Sequence, residues 1–306
     1  MFDLDPRDFD SRDRDNDQPD PSRGGRAGDD TREHDAQPHD PRDVPLKRLD
    51  LPRGPDRELV RVQERVYELN GRQSRALATV GAFCVVRSAD IRDSDDARDR
   101  DFHHIRDQGL VKSVPLGGKD RDVVVLTREG RQLLEAHRRD DASNPRQEFY
   151  EGLRKPREVN HDAAVYRAYR RAAERLQDEG ARLDRIVLDY ELKREYQQFL
   201  QEENRDRPDS DGRPRRDEEE VDGWARDHGL PYFDDQVHFP DVRIKYEDRD
   251  GRSRHEDIEV ITPHYRGAHA AASARAGFTC YCTIGGRAGG RSGGRPWDPR
   301  LAEEFI

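Results

Sequence analysis

The stretch that most constrains the fold runs from residue 84 to residue 139, where short apolar runs alternate with helix-capping residues and turn glycines. Ser88 stands where an N-cap belongs, and Ser94 does the same a few residues later, so a brief helix followed by a second one is predicted. Two acids follow Ser94, and acidic side chains favour the first turn of a helix. Gly109 closes the second helix in the manner of a C′ glycine. The pattern therefore predicts two short helices joined by a tight turn.

A two-stranded hairpin is predicted after these helices. The runs at 111–114 and 123–126 are rich in β-branched residues, which favour strands. The loop between them contains two glycines and carries Lys119 and Arg121 near its tip. Thr127 then caps a closing helix. The hairpin is thus expected to project a basic tip, or wing.

The order of these elements, together with LTREGRQLLE at residues 126–135, resembles the winged-helix domains of bacterial transcription regulators. The resemblance implies that the second helix enters the major groove of DNA while the wing holds phosphates. Phe102 and Ile105 are expected to face the core, and the opposite face presents Arg100, His103, His104 and Asp107. The residues expected to contact DNA are Arg98, Arg100, His103 and Arg106 on the helix and Lys119 and Arg121 in the wing.

The charge of the second helix does not decide whether this helix binds DNA or a protein. From Asp95 to Asp107 it has five Asp against three Arg, a poor surface for phosphates unless the acids are screened or turned away. Winged helices also serve as protein-binding modules, so the fold alone does not decide the function. Duplex DNA and a protein partner both stay open at this point.

Composition sets the frame around this region. The chain has 306 residues, 40% of them charged and 32% hydrophobic, with a formal net charge of −10. Residues 1–55 are rich in Asp, Arg, Pro and Gly, which predicts a disordered acidic arm. No apolar run approaches the roughly 18 residues that a membrane span needs, so no membrane partner is expected. Three cysteines, an odd number, fit a reducing compartment, and a cytoplasmic protein is predicted.

The remaining segments are assigned by periodicity. A helix is expected over residues 57–69, whose apolar residues recur at helical spacing. With it, residues 56–140 make up the winged-helix domain, and residues 141–158 are expected to be a polar linker. Residues 159–284 should form an α/β domain with a mixed sheet, followed by a Gly/Arg-rich tail at 285–306. The predicted fold class is α+β.

The second domain resembles the PD-(D/E)xK nuclease-like core, with Pro240-Asp241 at the start of one strand and Glu259 near the end of the next. The resemblance implies that Asp241 and Glu259 jointly hold Mg²⁺, which activates water and stabilises charge on the phosphate. Asp257 is an alternative second acid. The position of the usual lysine is Ile261, and Lys245 or Arg266 is the expected substitute.

The whole layout resembles the replication-relaxation proteins of bacterial mobile elements and plasmids. The matching features are the winged helix, His161-Asp162 at a helix start, Pro240-Asp241, a turn at Asp250-Gly251, and a strand with Glu259 three residues before Thr262. This resemblance implies a DNA-binding winged helix and a nuclease-like domain, with His161, Asp241 and Glu259 as site residues. A histidine in the first turn of a helix is more often a surface or capping residue than a metal ligand, so position alone favours that interpretation of His161.

These observations predict a cytoplasmic protein that binds double-stranded DNA and carries a degenerate nuclease-like domain. It would act in mobile-element or plasmid replication, transfer or transcriptional control. One alternative is an active Mg²⁺-dependent DNA endonuclease, which would use Lys245 beside the two acids. Another is a protein-interaction scaffold. A homodimer is compatible with each of them.

Overall fold

Two sheets organise the described part of the chain. The computed structural model describes residues 40–91, 96–116, 122–139, 146–154, 156, 158–204, 216–261 and 267–282. The structure is α+β, and its larger sheet is mixed, as predicted from the sequence. None of the helices in these ranges is long and apolar enough to cross a membrane.

The helix predicted over residues 57–69 is wrong: this part of the chain forms an antiparallel hairpin of β1 (Glu58–Val62) and β2 (Arg65–Leu69). Gln63 in its turn has a φ of 53°, a left-handed conformation that ends regular structure. Val60 and Tyr67 face each other and are buried, whereas Leu59 is 72% exposed. The apolar residues of this segment fit both the helical period and the two-residue period of a strand. Packing of Val60 and Tyr67 in the core favours the strand.

The predicted elements of residues 84–139 are confirmed by the structure. They follow a helix whose N-terminus is held by a capping box between Asn70 and Gln73. The three-stranded sheet has the order β3-β5-β4 and is antiparallel throughout. Thr127 accepts a hydrogen bond from the Gly130 N–H at 3.1 Å and so caps the closing helix as expected. In chain order the elements are α1 (Gly71–Phe83), β3 (Val86–Arg87), α2 (Ser88–Ile91), α3 (Asp96–Asp107), β4 (Val111–Val114), β5 (Val123–Leu126) and α4 (Arg128–Ala136).

The end of the predicted acidic arm is ordered. Residues 1–39 lie outside the described residues, but a short 3₁₀ helix forms at Pro41–Asp43, and Val44, Leu46 and Leu49 after it are buried. Arg75 of α1 donates to Asp43 at 2.6 Å and ties this segment to the helix. Its few apolar residues, spread among polar ones, give no periodicity, so the sequence does not reveal this packing.

The predicted linker also packs into the fold in its described part. Phe149 and Tyr150 are buried, and the Tyr150 N–H donates to the carbonyl of Gly81 at 2.8 Å. Gln147 exchanges two hydrogen bonds with the backbone of Ile186, at 3.0 and 3.1 Å. Residues 146–154 therefore join the two halves of the chain as a packed strap rather than a polar spacer.

The second half builds a four-stranded sheet of order β11-β10-β9-β6, in which β10 and β11 are parallel and the other pairs antiparallel. A short 3₁₀ turn, Glu202–Asn204, follows α6. The elements are α5 (Val159–Asp178), β6 (Arg182–Leu188), α6 (Asp189–Gln201), α7 (Glu218–Asp227), β7 (Tyr232–Phe233), β8 (Gln236–Val237), β9 (Val242–Glu247), β10 (Ser253–Ile261), α8 (Gly267–Arg275) and β11 (Thr279–Cys282).

One continuous core serves both halves. Tyr166 and Tyr169 of α5 contact the ring of Phe83 in α1, with centroids 5.0 and 4.8 Å apart. α5 also packs on β9 and β10 of the mixed sheet, and Ile244 and Val260 of these strands belong to the same core. The described residues between 40 and 282 belong to a single compact unit. The long helix α5 thus holds the sheet and the N-terminal half in a fixed relation.

Candidate active site and nucleic-acid interface

Four elements converge at one end of the mixed sheet. The register pairs Leu188 at the end of β6 with Val242 at the start of β9. The Asp189 N–H donates to the carbonyl of Asp241 at 3.2 Å, which fixes the start of α6 beside β9. On the other side of β9, Ile258 of β10 also pairs with Val242, so Glu259 comes next to Asp241. The first turn of α5 closes the group.

Asp241 is held by two partners. Its Oδ1 lies 3.0 Å from Nε2 of His161, and its Oδ2 accepts a hydrogen bond from the Val260 N–H at 2.8 Å. Both the histidine and the aspartate are largely buried, with 17% and 15% of their side chains exposed. His161 and Asp241 are 80 positions apart in the sequence. The structure thus brings together His161, Asp241 and Glu259, the three residues that the family resemblance implies.

Glu259 is the most deeply buried acid of this group, at 4% exposure. Burial and the negative charge of Asp241 raise the pKa of Glu259 to about 8. The charges of His161 and Lys193 and a hydrogen bond from the backbone of Asp241 lower the same pKa by less. Glu259 therefore keeps its proton near neutral pH, although carboxyl groups are ordinarily ionised there.

The pKa of His161 is also raised. Burial lowers the pKa of His161, but its hydrogen bond to Asp241 and the negative charges of Asp241, Asp162 and Glu259 raise it by more, so the net shift is upward. A protonated imidazole donates from Nε2 to Asp241. Glu259 can thus take up or release a proton close to neutral pH, beside the His161–Asp241 pair.

Lys193 is a site residue that the sequence alone does not reveal. It lies one turn into α6, and its Nζ donates to Oδ2 of Asp189 at 2.7 Å. Its positive charge lowers the pKa of Glu259, so it acts on the acid pair from the helix side. The spacing of Asp189 and Lys193 at i and i+4 is visible in the sequence. Their place beside Asp241 depends on strand pairing, which the sequence does not display.

Lys245 is not brought to this cluster. It lies on β9 four residues beyond Asp241, about 13 Å along the strand at the usual rise. Its register partners are Arg185 and His255, and its pKa is lowered by burial and by the charges of Arg185 and Arg243. Arg266, the other expected substitute, lies outside the described residues.

Asp257, the alternative second acid, is held in an ion pair. Arg243 donates to its two carboxylate oxygens at 2.6 and 2.8 Å, and both side chains are almost fully buried. Glu259 lies two residues further along β10. Unlike Asp257, it is influenced by the positive charges of His161 and Lys193. Glu259 is also the acid that lies beside Asp241, so it is the better candidate for the second ligand of a cation.

The Asp241–Glu259 pair fits a small divalent cation. No group of three His, Cys, Asp or Glu side chains in the described ranges is arranged to hold a metal ion. Mg²⁺, however, is usually bound by one or two carboxylates, and water and substrate phosphates complete its shell. A carboxylate oxygen has two lone pairs, so Asp241 can keep His161 while it accepts a cation. The two carboxylates of Asp241 and Glu259 therefore match the number and type of protein ligands that Mg²⁺ usually has.

On the candidate DNA-contacting helix, α3, the side chains of two acids, Asp101 and Asp107, are described. Asp101 points inward, where its Oδ1 accepts hydrogen bonds from Asn70 at 3.1 Å and Gln73 at 3.0 Å. Arg100 and Arg106 are exposed, and Arg106 lies 3.4 Å from the exposed Asp107. His103 is half-buried beside Phe102. The side chains of Arg98, Lys119 and Arg121 lie outside the described residues.

Comparison with known proteins does not add to this picture. A scan against models of protein families gives no match, and searches of curated proteins and of solved structures give none either.

Proposed function

We propose that this protein binds duplex DNA, with α3 in the major groove and the β4–β5 hairpin along the phosphates, as in a winged helix. In this proposal Arg100, His103 and Arg106 approach the bases, while Lys119 and Arg121 hold the backbone. By its resemblance to replication-relaxation proteins, the DNA binding would serve replication, transfer or control of a mobile element or plasmid.

The inward position of Asp101 is the observation that carries this proposal. Because Asn70 and Gln73 hold its carboxylate, Asp101 does not oppose a phosphate from the outer face of α3. Arg100 and Arg106 are left on that face, and Arg106 lies close enough to Asp107 to offset part of its charge. Two of the five acids counted on this helix, Asp101 and Asp107, are in this way turned inward or partly offset.

The test is binding of the full chain to a fluorescent duplex of mixed sequence over a range of salt concentrations. The double substitution Arg100→Gln and Arg106→Gln should weaken binding, because it removes contacts to the bases. Arg121→Ala removes a phosphate contact, so it should weaken binding and also lower the salt slope by about one. Arg226→Gln on α7, away from this face, is the matched control and should leave binding unchanged.

Two acid substitutions sharpen the test. Asp107→Asn removes an exposed negative charge and should strengthen DNA binding, whereas Asp101→Asn should not, because its carboxylate faces inward. If both act alike, α3 is not oriented as proposed. If the wild type shows no salt-dependent DNA binding, the protein-interaction scaffold replaces this proposal.

We also propose a second activity, metal-dependent cleavage of phosphodiester bonds at the Asp241–Glu259 pair. The observation that favours it is the convergence of His161, Asp241, Glu259 and Lys193 from four separate elements. A bound Mg²⁺ supplies an activated water and stabilises charge on the phosphate. Asp241 and Glu259 would hold the ion, His161 orients Asp241, and Lys193 brings a positive charge on the side of α6.

Incubation with supercoiled plasmid and Mn²⁺ tests this second activity, with products run on deproteinised gels. Nicked or linear DNA should form with the wild type and not with Asp241→Ala. Lys245→Ala is the matched control, since Lys245 lies outside the cluster, and it should keep the activity. Intact DNA with the wild type would mean that the nuclease-like half is inactive, while the DNA-binding proposal is judged separately by the salt titration.

A further inference from the structure

The outer face of the β1–β2 hairpin carries apolar surface that no other described part of the chain covers. Leu59 and Val66 are the two large hydrophobic residues of the described ranges that stay exposed, at 72% and 49%. They point away from the core, because Val60 and Tyr67 alternate with them along the strands and are buried. Single exposed apolar residues are ordinary, but two on one face of a small hairpin form a patch.

The strand register makes this patch continuous and adds one charge of each sign to it. Leu59 lies opposite Glu68, and Arg61 lies opposite Val66. Side chains two residues apart on a strand share a face, so these four residues together form the outer face, called here the hairpin patch. Leu59 and Val66 lie on one diagonal of the patch and are within reach of each other. Arg61 and Glu68 lie on the other diagonal.

The two charges of the hairpin patch have no side-chain partner in the described ranges. Arg61 and Glu68 are exposed, and neither side chain forms an ion pair or hydrogen bond with another described residue. Arg65, which points to the opposite face of the hairpin, differs in this respect, since it lies 3.6 Å from Glu129 of α4. The charges of Arg61 and Glu68 are therefore available to a partner.

The edges of the hairpin are occupied, which leaves its outer face as the docking surface. Gln108, just after α3, accepts a hydrogen bond from the Glu68 N–H at 2.8 Å and donates to the Glu68 carbonyl at 2.9 Å. On the other edge, Nε2 of His137 lies 3.2 Å from the carbonyl of Arg61. A peptide that adds a strand to a sheet needs such main-chain groups to be unpaired. A partner of the hairpin therefore packs on its side chains.

The hairpin patch is complementary to itself. In a dimer with two-fold symmetry the same patch is used by both subunits, so a contact between two different residues occurs twice. With the two-fold axis along the apolar diagonal, Leu59 and Val66 each face their own copy. Arg61 then faces Glu68 of the partner subunit, and the same ion pair forms again with the subunits exchanged. The apolar residues and both charges are matched in this single arrangement.

We infer that the hairpin patch joins two copies of this chain in a symmetric dimer. A wholly apolar partner would desolvate Arg61 and Glu68 without compensation, and a polyanion would be repelled by Glu68, whereas a second copy balances both charges. The patch covers less than the roughly 800 Å² per subunit of a standard interface, so the dimer forms at micromolar or higher concentrations. The inference does not depend on either activity proposed above.

The test is sedimentation equilibrium of the full chain over an about hundredfold range of concentrations that reaches the high micromolar range. The wild type should pass from monomer to dimer and stop there, because a two-fold contact closes on itself. The double substitution Leu59→Thr and Val66→Thr should weaken the dimer at least about tenfold, while threonine keeps the preference for a strand. Since both side chains are exposed, the melting temperature of the dilute protein should not fall.

Charge reversal gives a sharper result, because each substitution acts twice in a symmetric dimer. Arg61→Glu alone and Glu68→Arg alone should each weaken self-association at least about tenfold, since like charges then meet at both contacts. Mixed in equal amounts, the two variants should associate about as well as the wild type, because all charges are again matched across the interface. Arg226→Glu on α7 is the matched control and should change neither self-association nor mixing.

Three results would overturn the inference. The first is a monomeric wild type at the highest concentration. The second is assembly that continues beyond the dimer, since a closed two-fold contact does not allow it. The third is self-association that survives the threonine substitutions, or that is lost in both charge variants and does not return when they are mixed.

Discussion

Two buried carboxylates on β10 have opposite surroundings: one is paired with an arginine, and the other lies beside a second acid. Asp257 of β10 lies opposite Arg243 of β9, and the two form a two-armed ion pair in which the aspartate is 10% and the arginine 5% exposed. Two residues further along β10, Glu259 lies next to Asp241, a second acid. The same sheet therefore holds one compensated carboxylate and one pair of like charges.

The difference separates a structural arrangement from a candidate site. A buried charge is tolerated when a partner compensates it, and the Arg243–Asp257 pair follows that rule, as does the buried Arg185–Glu191 pair. Two adjacent acids raise each other's cost of ionisation, and such arrangements concentrate at functional sites. A proton near neutral pH, or a cation when one is bound, can relieve the repulsion between Asp241 and Glu259.

The largest expected effect comes from breaking the compensated pair. Arg243→Met leaves Asp257 buried without its partner and should lower the free energy of unfolding by roughly 3–5 kcal/mol. Chemical denaturation measures this decrease. The double variant Arg243→Met, Asp257→Leu should recover only part of it, because Arg243 also donates to the carbonyls of His228 and Gly229. A single variant as stable as the wild type would contradict the distinction drawn between the two positions.

The next effect is a pH dependence that belongs to the acid pair. In the unfolded chain Glu259 loses its proton at its ordinary pKa of about 4.3, while in the folded protein it holds the proton to about 8. Folding therefore becomes less favourable as the pH rises between these values. The raised pKa of His161 acts in the same direction, since its stabilising effect is present at low pH and is lost as the pH rises through its folded value.

Glu259→Gln should remove the larger part of this dependence. Between pH 5 and pH 8, its stability should rise relative to the wild type by on the order of 2 kcal/mol. Urea unfolding at several pH values measures the difference. Glu219→Gln on α7 removes one exposed carboxylate and is the matched control. Parallel pH profiles for Glu259→Gln and the wild type would show that Glu259 is ionised like an ordinary acid.

The elements of residues 84–139 are predictable from the sequence because their signals are local. Thr127 caps a helix and valine-rich runs form strands regardless of distant contacts. The β1–β2 hairpin is mistaken for a helix because Leu59, Val62, Val66 and Leu69 fit a helical period, although Leu59 is exposed in the structure. The burial of Leu46 and Phe149 depends on α1 and α5, which lie far away in the sequence.

In the candidate site, too, some residues are predictable from the sequence and others depend on contacts between distant segments. Asp241, Glu259 and His161 are predicted from a family resemblance, and the structure places the three side by side. Lys193 has no such signal, because it reaches the pair only through the pairing of β6 with β9.

A smaller effect is expected when a cation joins the acid pair. A cation favours ionised carboxylates, so Mn²⁺ should bind more tightly at pH 8 than at pH 6, and binding should release a proton. At ten times the dissociation constant it should stabilise the wild type by about 1.4 kcal/mol, seen as a rise in melting temperature. Asp241→Asn should lose this stabilisation. Equal stabilisation of Asp257→Asn and the wild type by Mn²⁺ would confirm that Asp257 is outside the site.

The smallest effect on stability should come from Lys193, which is about half exposed and pairs with Asp189 at 2.7 Å. Exposed ion pairs contribute little, so Lys193→Met should cost no more than about 1 kcal/mol. Its effect on the acid pair should be clearer: without this positive charge, the pKa of Glu259 rises further, and the pH at which Mn²⁺ begins to stabilise the protein should rise with it. Lys112→Met, an exposed lysine of β4, is the matched control. An unchanged pH midpoint in Lys193→Met would remove Lys193 from the site and leave His161 as the cation that balances the acid pair.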